Sequence, residues 1–109
     1  MIVDSVDLIR YFDPGDAGHL AMRGQIELAA GYELLVVSPF VVAELEPAVL
    51  ERYGVEGLLA VLDELARGAW AVAAVGPDHI AAMRVHVAKG ATLAAASVAV
   101  LAEDELGEE

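Results

Sequence analysis

The sequence predicts an α/β fold built on a short parallel sheet. Three short apolar runs have the length and composition of buried strands, and they lie at Met1–Asp4, Leu34–Val37 and Ala69–Val75. Segments with helix start signals or helical periodicity separate these runs, and that alternation is typical of a parallel sheet. The chain has 109 residues, so we expect one domain, residues 1–109, close to the minimum size for a layered α/β unit.

Composition narrows the class of function. The formal net charge of -12 opposes non-specific nucleic-acid binding, so any RNA contact would be local and helped by a metal or a few arginines. The chain has no cysteine, which excludes thiolate sites and indicates a cytoplasmic protein. The uncharged run Gly90–Ala102 is shorter than the ~20 residues of a membrane helix, and the N-terminus has no signal-peptide pattern.

The first strand leads directly into a carboxylate. Asp4 follows the apolar start of the chain, and either Asp4 or Ser5 can cap a helix that runs to Tyr11 or Phe12. Ligands of open α/β sheets bind at the carboxyl ends of the strands, so Asp4 is a candidate functional acid. The alternative is that Asp4 is only a helix cap.

The second strand is followed by the clearest helix start in the chain. The sequence at Asp13–Asp16 predicts a turn, and the next segment predicts a helix over Ala17–Ala30. After the strand at Leu34–Val37, Ser38 has the position of an N-cap, and Pro39 has the first helical position.

Glu44 is the second candidate acid. Helical spacing places it beside Phe40 and Val41 on a mostly apolar stripe, where an arginine or a bound cation would have to compensate its charge. Pro47 predicts a kink beside Glu44 or a helix that restarts at Pro47, because proline cannot donate to the carbonyl four residues back.

The remaining elements follow from breaks and periodicity. Gly54 ends the helical segment that begins after Ser38. The next helix, Val55–Ala66, should pack one face on the core through Val55, Leu58, Leu59, Leu62, Leu65 and Ala66. Helices are predicted from Pro77 to Lys89 and from Thr92 to Glu103, followed by a frayed acidic tail over residues 103–109. His79 and His86 lie about 10 Å apart along the first of these two helices, too far to share an ion.

Four segments resemble PIN-domain proteins, most closely the VapC-like toxins of bacterial type II toxin–antitoxin systems. They are Ile2-Val3-Asp4-Ser5, Val36 to Leu45, Leu65 to Trp70, and Leu93-Ala94-Ala95-Ala96-Ser97. They occur in the family's order over nearly the whole chain.

The resemblance implies a three-layer α/β/α fold and endonucleolytic cleavage of RNA that depends on Mg²⁺ or Mn²⁺. It also implies a homodimer neutralised by a small antitoxin. Asp4 and Glu44 would be catalytic residues and metal ligands, and Ser5 would support the first acid. Hard divalent cations prefer such oxygen ligands, and they neutralise the phosphodiester and activate a water.

Two acids of the family pattern are absent. The third acid of that pattern falls at Ala95, and no Asp or Glu occurs from His79 to Ala102. The fourth would follow a further strand, so we expect a fold without the family's C-terminal strand and helix. Asp7, one turn from Asp4, is a nearby substitute, although an acid in a first helical turn also suits the helix dipole.

Three functions remain open from the sequence. The first is a metal-dependent endoribonuclease toxin with impaired catalysis. The second is a catalytically inactive remnant that binds an antitoxin or dimerises. The third is a structural α/β unit in which Asp4 is a cap and Glu44 pairs with Arg10 or Arg52.

Overall fold

A two-stranded parallel sheet carries the core of the structure, a computed structural model that describes the backbone of residues 1–107 and the side chains of residues 1–104. Strand β1 (Leu35–Val37) pairs with β2 (Trp70–Val72), with Leu35 opposite Trp70. The predicted α/β class is confirmed.

The N-terminal strand is shorter than predicted. It consists of one parallel bridge between Ile2 and Val36, in which the Val3 amide donates to the Val36 carbonyl at 2.9 Å and the Val36 amide donates to the Met1 carbonyl at 2.7 Å. Pairing ends there because Asp4 already caps the following helix. In the described residues no strand follows β2.

Five helices surround this sheet in the described residues. They are α1 (Ser5–Phe12), α2 (His19–Ala30), α3 (Pro39–Leu65), α4 (Pro77–Ala88) and α5 (Leu93–Gly107). The predicted start of α3 is confirmed, because the Ser38 side chain accepts a hydrogen bond from the Phe40 amide at 3.1 Å and Pro39 lies at the first helical position.

Helix α3 bends at Gly54, and the prediction of a kink at Pro47 is wrong. Gly54 has φ 68° and ψ -167°, a backbone conformation open almost only to glycine, whereas Pro47 keeps helical backbone angles. Pro47 and Ala43 both lie on the exposed side of α3, where water can solvate the carbonyl that proline leaves unpaired.

The second half of α3 buries only part of the predicted face, since Leu65 is buried and Leu58 packs against the core as expected. Val61 and Leu65 are buried, whereas Val55, Leu59 and Leu62 are 64%, 54% and 47% exposed. Apolar residues occupy two sides of this segment, so the sequence did not determine its rotation. The bend at Gly54 sets that rotation.

Helices α4 and α5 form a hairpin with its own small core of Met83, Ala96 and Val100. His79 Nε2 lies 2.7 Å from Asp104 Oδ2, and His86 Nε2 lies 2.9 Å from Glu103 Oε1. The predicted fraying is therefore wrong from residue 103 to residue 107, where α5 continues. Residues 108 and 109 of the predicted tail lie outside the described residues.

Within the described residues, no single helix is long and apolar enough to cross a membrane, although α4 and α5 taken together reach that length and hydropathy with a bend of 119°.

Candidate active site

Asp4 lies where the N-terminal bridge ends and α1 begins. Its Oδ1 accepts a hydrogen bond from the Asp7 amide at 2.9 Å, so it is the N-cap of α1, and the residue is otherwise exposed. The two interpretations of Asp4 are therefore compatible, because a capping carboxylate uses one oxygen and leaves the other free to bind a ligand.

Ser5 connects this helix start to Glu44. The Ser5 hydroxyl donates to Glu44 Oε2 at 3.1 Å. This contact holds the start of α1 against the second turn of α3. Asp4 directly precedes Ser5, the donor, in the chain. The sequence led us to expect Ser5 to support Asp4, and in the structure its hydroxyl bonds to Glu44.

Glu44 itself is exposed, so the predicted apolar setting is wrong. Its neighbour Leu45 is fully buried, because successive residues differ by about 100° around a helix and Glu44 lies at the edge of the buried stripe. The third interpretation required Glu44 to pair with Arg10 or Arg52, and that part of it is wrong, since Arg52 pairs with Asp13 and Arg10 Nε lies 3.8 Å from Asp16 Oδ1.

Asp7 is a third acid at this end of the molecule. Partial burial and the neighbouring negative charge of Asp4 raise the pKa of the Asp7 carboxyl, and the positive charge of Arg10 opposes that shift. Asp4 and Asp7 thus interact unfavourably when both are ionised.

The acids at this end form an incomplete ligand set for a divalent cation. No three His, Asp or Glu side chains among the described residues are arranged to hold a metal ion. Asp4 and Glu44 supply hard oxygen donors, and Mg²⁺ keeps several waters in many protein sites. The residues present therefore fit a weakly held hydrated ion rather than a closed carboxylate cage.

Two buried serines connect the end of β1 to α5. The Ser97 hydroxyl donates to the Ala94 carbonyl at 2.7 Å and lies 2.7 Å from Ser38 Oγ. The Ser97 hydroxyl has one hydrogen and donates it to the Ala94 carbonyl. The Ser38 hydroxyl therefore donates to Ser97 Oγ, and it also accepts a hydrogen bond from the Phe40 amide. The network accounts for the buried serine of the fourth matching segment.

Ala95 is exposed between the buried Ala94 and Ala96. Its amide donates to Thr92 Oγ1 at 3.1 Å, so it belongs to the first turn of α5. An acidic side chain at this position would point into solvent and would suit the helix dipole.

Asp13 is a buried acid whose importance the sequence did not reveal. Tyr53 donates to its Oδ1 at 2.6 Å, the Gly15 amide donates at 2.9 Å, and Arg52 pairs with Oδ2. The hydrogen bond from Tyr53, followed by that from Gly15 and the charge of Arg52, lowers the pKa of Asp13. Sequence reasoning assigned Asp13 to a turn, and the packing of α1 against the first half of α3 brings Arg52 and Tyr53 to it.

A cavity of about 410 Å³ lies beside this acid, between α1 and the bend of α3. Its apolar wall comes from the two helices, and Asp13, Arg52 and Tyr53 contribute polar atoms. The lining set does not include Asp4 or Glu44, so this cavity and the candidate acids are separate features.

Two known proteins resemble this chain, one in sequence and one in fold. The chain is 48% identical over 80 residues to Ribonuclease VapC26 of Mycobacterium tuberculosis, a match that covers 73% of this chain and 58% of that protein. The chain thus spans less than two thirds of that relative's length. No protein-family model matches the chain.

The fold is similar to that of the crystal structure of VapC20 from Mycobacterium tuberculosis, described as a toxin that cleaves the sarcin–ricin loop. The TM-score is 0.79, with 16% sequence identity, over 95% of this chain and 82% of that one. At this identity the likeness shows the fold. Sequence and fold together confirm the predicted resemblance of the chain to the PIN-domain family and, within it, to the VapC-like toxins.

Proposed function

We propose that the chain is a VapC-like toxin, an endoribonuclease that depends on Mg²⁺ or Mn²⁺ and whose catalysis is impaired. The observation that carries the proposal is the similarity to a protein named as a ribonuclease, 48% identical over 80 residues. The exposed acids Asp4 and Glu44, joined through Ser5, support it because they offer oxygen ligands at one end of the molecule.

In this proposal Asp4 and Glu44 are the catalytic residues and the metal ligands. A divalent ion held by Asp4 and Glu44 would supply positive charge against the phosphodiester and would activate a water as the nucleophile. The hydrogen bond from Ser5 fixes the orientation of the Glu44 carboxylate, and the cap interaction fixes that of Asp4. Catalysis is weak because two carboxylates and waters hold the ion loosely.

The proposed partners are an RNA substrate, a small antitoxin and a second copy of the chain, in the cytoplasm. The net charge of -12 favours a basic antitoxin. The same charge disfavours long RNA contacts, so we expect RNA to be bound locally around the acids.

The alternative is an inactive PIN-like protein that acts as an antitoxin-binding or dimerisation module. Two observations favour it: no three metal-ligating side chains converge among the described residues, and Ala95 stands where the family pattern has an acid.

Cleavage of RNA by the purified chain separates the two functions. We expect slow cleavage that requires Mn²⁺ and is abolished in Asp4→Asn. The matched control is Asp63→Asn, an exposed acid on the second half of α3 that should cleave like the wild type. Equal, absent activity in the wild type and in Asp4→Asn contradicts the enzymatic proposal and supports the binding module.

A gain-of-function variant tests why catalysis is impaired. Ala95→Asp returns an acid to the first turn of α5, where the side chain is exposed and the helix dipole favours it. We expect this variant to cleave RNA at least tenfold faster and to gain more thermal stability from Mn²⁺, since a ligand that binds only the folded state raises the melting temperature. Ala82→Asp, at an exposed alanine of α4, should do neither.

A further inference from the structure

The cavity beside Asp13 has no part in the proposed function, because neither Asp4 nor Glu44 lines it. Its volume of about 410 Å³ lies within the range of about 300–1,000 Å³ that is typical of pockets for small molecules. The side chains around it determine which kind of molecule it can hold.

The apolar wall of the cavity is part of the hydrophobic core. Its large members are Ile9 and Phe12 of α1, Leu45 and Val49 of the first half of α3, and Val61 of the second half. Leu45, Val49 and Val61 are buried, so core packing holds them in place whether or not a ligand is bound. Such a wall binds the hydrocarbon part of a ligand, because contact removes apolar surface from water.

Gly57 lets the two halves of α3 approach each other at this wall. It lines the cavity, and a Cβ added there would overlap the Cβ of Tyr53, which lies one turn earlier, before the bend at Gly54. The missing side chain leaves room for Tyr53 on the cavity wall, where its hydroxyl donates to Asp13 at 2.6 Å. The shape of the wall thus depends on close packing across the bend.

The polar groups of the cavity carry an excess of negative charge. Asp13 pairs with Arg52, so these two charges largely cancel. Asp16 and Glu51 also line the cavity, and both retain contact with solvent. Within the described residues Glu51 forms no ion pair, and Asp16 has only Arg10 Nε, at 3.8 Å. This border therefore attracts a cation and repels an anion, as does the net charge of -12.

We propose that this cavity binds a small amphipathic cation, with an aromatic or branched aliphatic body against the apolar wall and an ammonium or guanidinium group beside Glu51 and Asp16. The wall sets the size and apolar character of the ligand, and the two acids select a cation over a neutral or anionic molecule of the same shape. The proposal does not rest on the proposed function, since the candidate acids lie outside the cavity.

Titration of the isotopically labelled chain with 2-phenylethylamine, followed by NMR, tests the proposal. This probe joins one aromatic ring to one ammonium group through a short link. We expect saturable shifts of the backbone amides around the cavity, with a Kd on the order of 1 mM because so small a ligand gains little binding free energy.

Two probes of similar shape test the selection by charge. In 3-phenylpropionate a carboxylate replaces the ammonium group, and in 2-phenylethanol a hydroxyl replaces it. We expect both to bind at least about fivefold more weakly than the amine, because the border of the cavity is negatively charged. Equal binding of the amine and the alcohol overturns the proposal, since the cavity would then be an apolar site without selection by charge.

Two matched pairs of variants locate the site. Ala60→Trp adds a large side chain at an exposed position that lines the cavity and should abolish binding, whereas Ala82→Trp, on the exposed side of α4, should leave the Kd within about twofold. Glu51→Lys should weaken binding of the amine at least about fivefold and remove its advantage over the alcohol. Glu56→Lys makes the same change at an exposed acid that does not line the cavity, and should keep that advantage.

The same spectra show whether each variant folds, because a folded chain keeps dispersed amide signals. The absence of saturable shifts around the cavity of the wild type overturns the proposal and leaves a covering protein surface as the occupant. Binding that a folded Ala60→Trp variant retains also overturns it, since the probe would then bind elsewhere.

Discussion

Two carboxylates near opposite ends of α1 have opposite environments. Asp13 is buried and bonded to Tyr53, Gly15 and Arg52, whereas Glu44 is exposed and bonded to the hydroxyl of Ser5. A carboxylate whose partners are an arginine and two hydrogen-bond donors has little capacity left for a ligand. Glu44 and Asp4 keep carboxylate oxygens that can bind a ligand. The comparison therefore separates Asp13, an acid that stabilises the fold, from two acids that are available for binding.

The largest effect should come from the residue next to Glu44. Leu45→Ala removes a fully buried side chain from the core, and we expect it to lower the free energy of unfolding by about 2–5 kcal/mol in urea denaturation. A loss below about 1 kcal/mol would show that this turn of α3 is not packed as described.

The bend of α3, which comes directly after Arg52 and Tyr53, depends on Gly54. Gly54→Ala forces a side chain into a backbone conformation with φ 68° and ψ -167°, at an expected cost of about 1–3 kcal/mol. No neighbouring atom lies within 4 Å of the added Cβ, so the cost is conformational rather than steric. Gly24→Ala, in the middle of α2, is the control, and it should leave stability unchanged or raise it. Equal effects of the two substitutions would contradict the bend.

The buried acid should make stability depend on pH. The lowered pKa of folded Asp13 means that its ionised form stabilises the protein above the unfolded pKa of about 4, and this stabilisation is lost as the pH falls through the folded pKa. Asp13→Asn should therefore be less stable than the wild type at neutral pH, and the difference should shrink as the pH falls below about 4. Chemical denaturation at several pH values measures this, and a difference independent of pH would contradict it.

The smallest effect on stability should come from the exposed acid. Glu44→Gln is expected to change the free energy of unfolding by no more than about 0.5 kcal/mol, because the side chain is exposed. It should nevertheless remove the increase in melting temperature that we expect Mn²⁺ to give the wild type. A large loss of stability without the metal would show that Glu44 is structural, as Asp13 is.

Local signals predicted much of this architecture. Most helices and strands lie within a few residues of their predicted bounds. The signals that located them were the apolar runs, the Ser38–Pro39 helix start, and the helix breaks at Gly54 and Gly90. The prediction of the first strand was too long because sheet pairing stops where Asp4 begins to cap α1. The contact between Ser5 and Glu44 could not be predicted by spacing, because 39 residues separate them.

By itself the sequence determined the α/β class and the resemblance to VapC-like proteins, and it suggested the two acids that support the functional proposal, because caps, breakers and short motifs act over a few residues. Tertiary structure decided which acid is buried, which face of the second half of α3 is covered, and which arginine pairs with which aspartate. The covered face depends on the bend at Gly54, and the burial and pairing of the acids depend on packing between distant segments. Local periodicity does not specify either of them when apolar residues lie on more than one side of a helix.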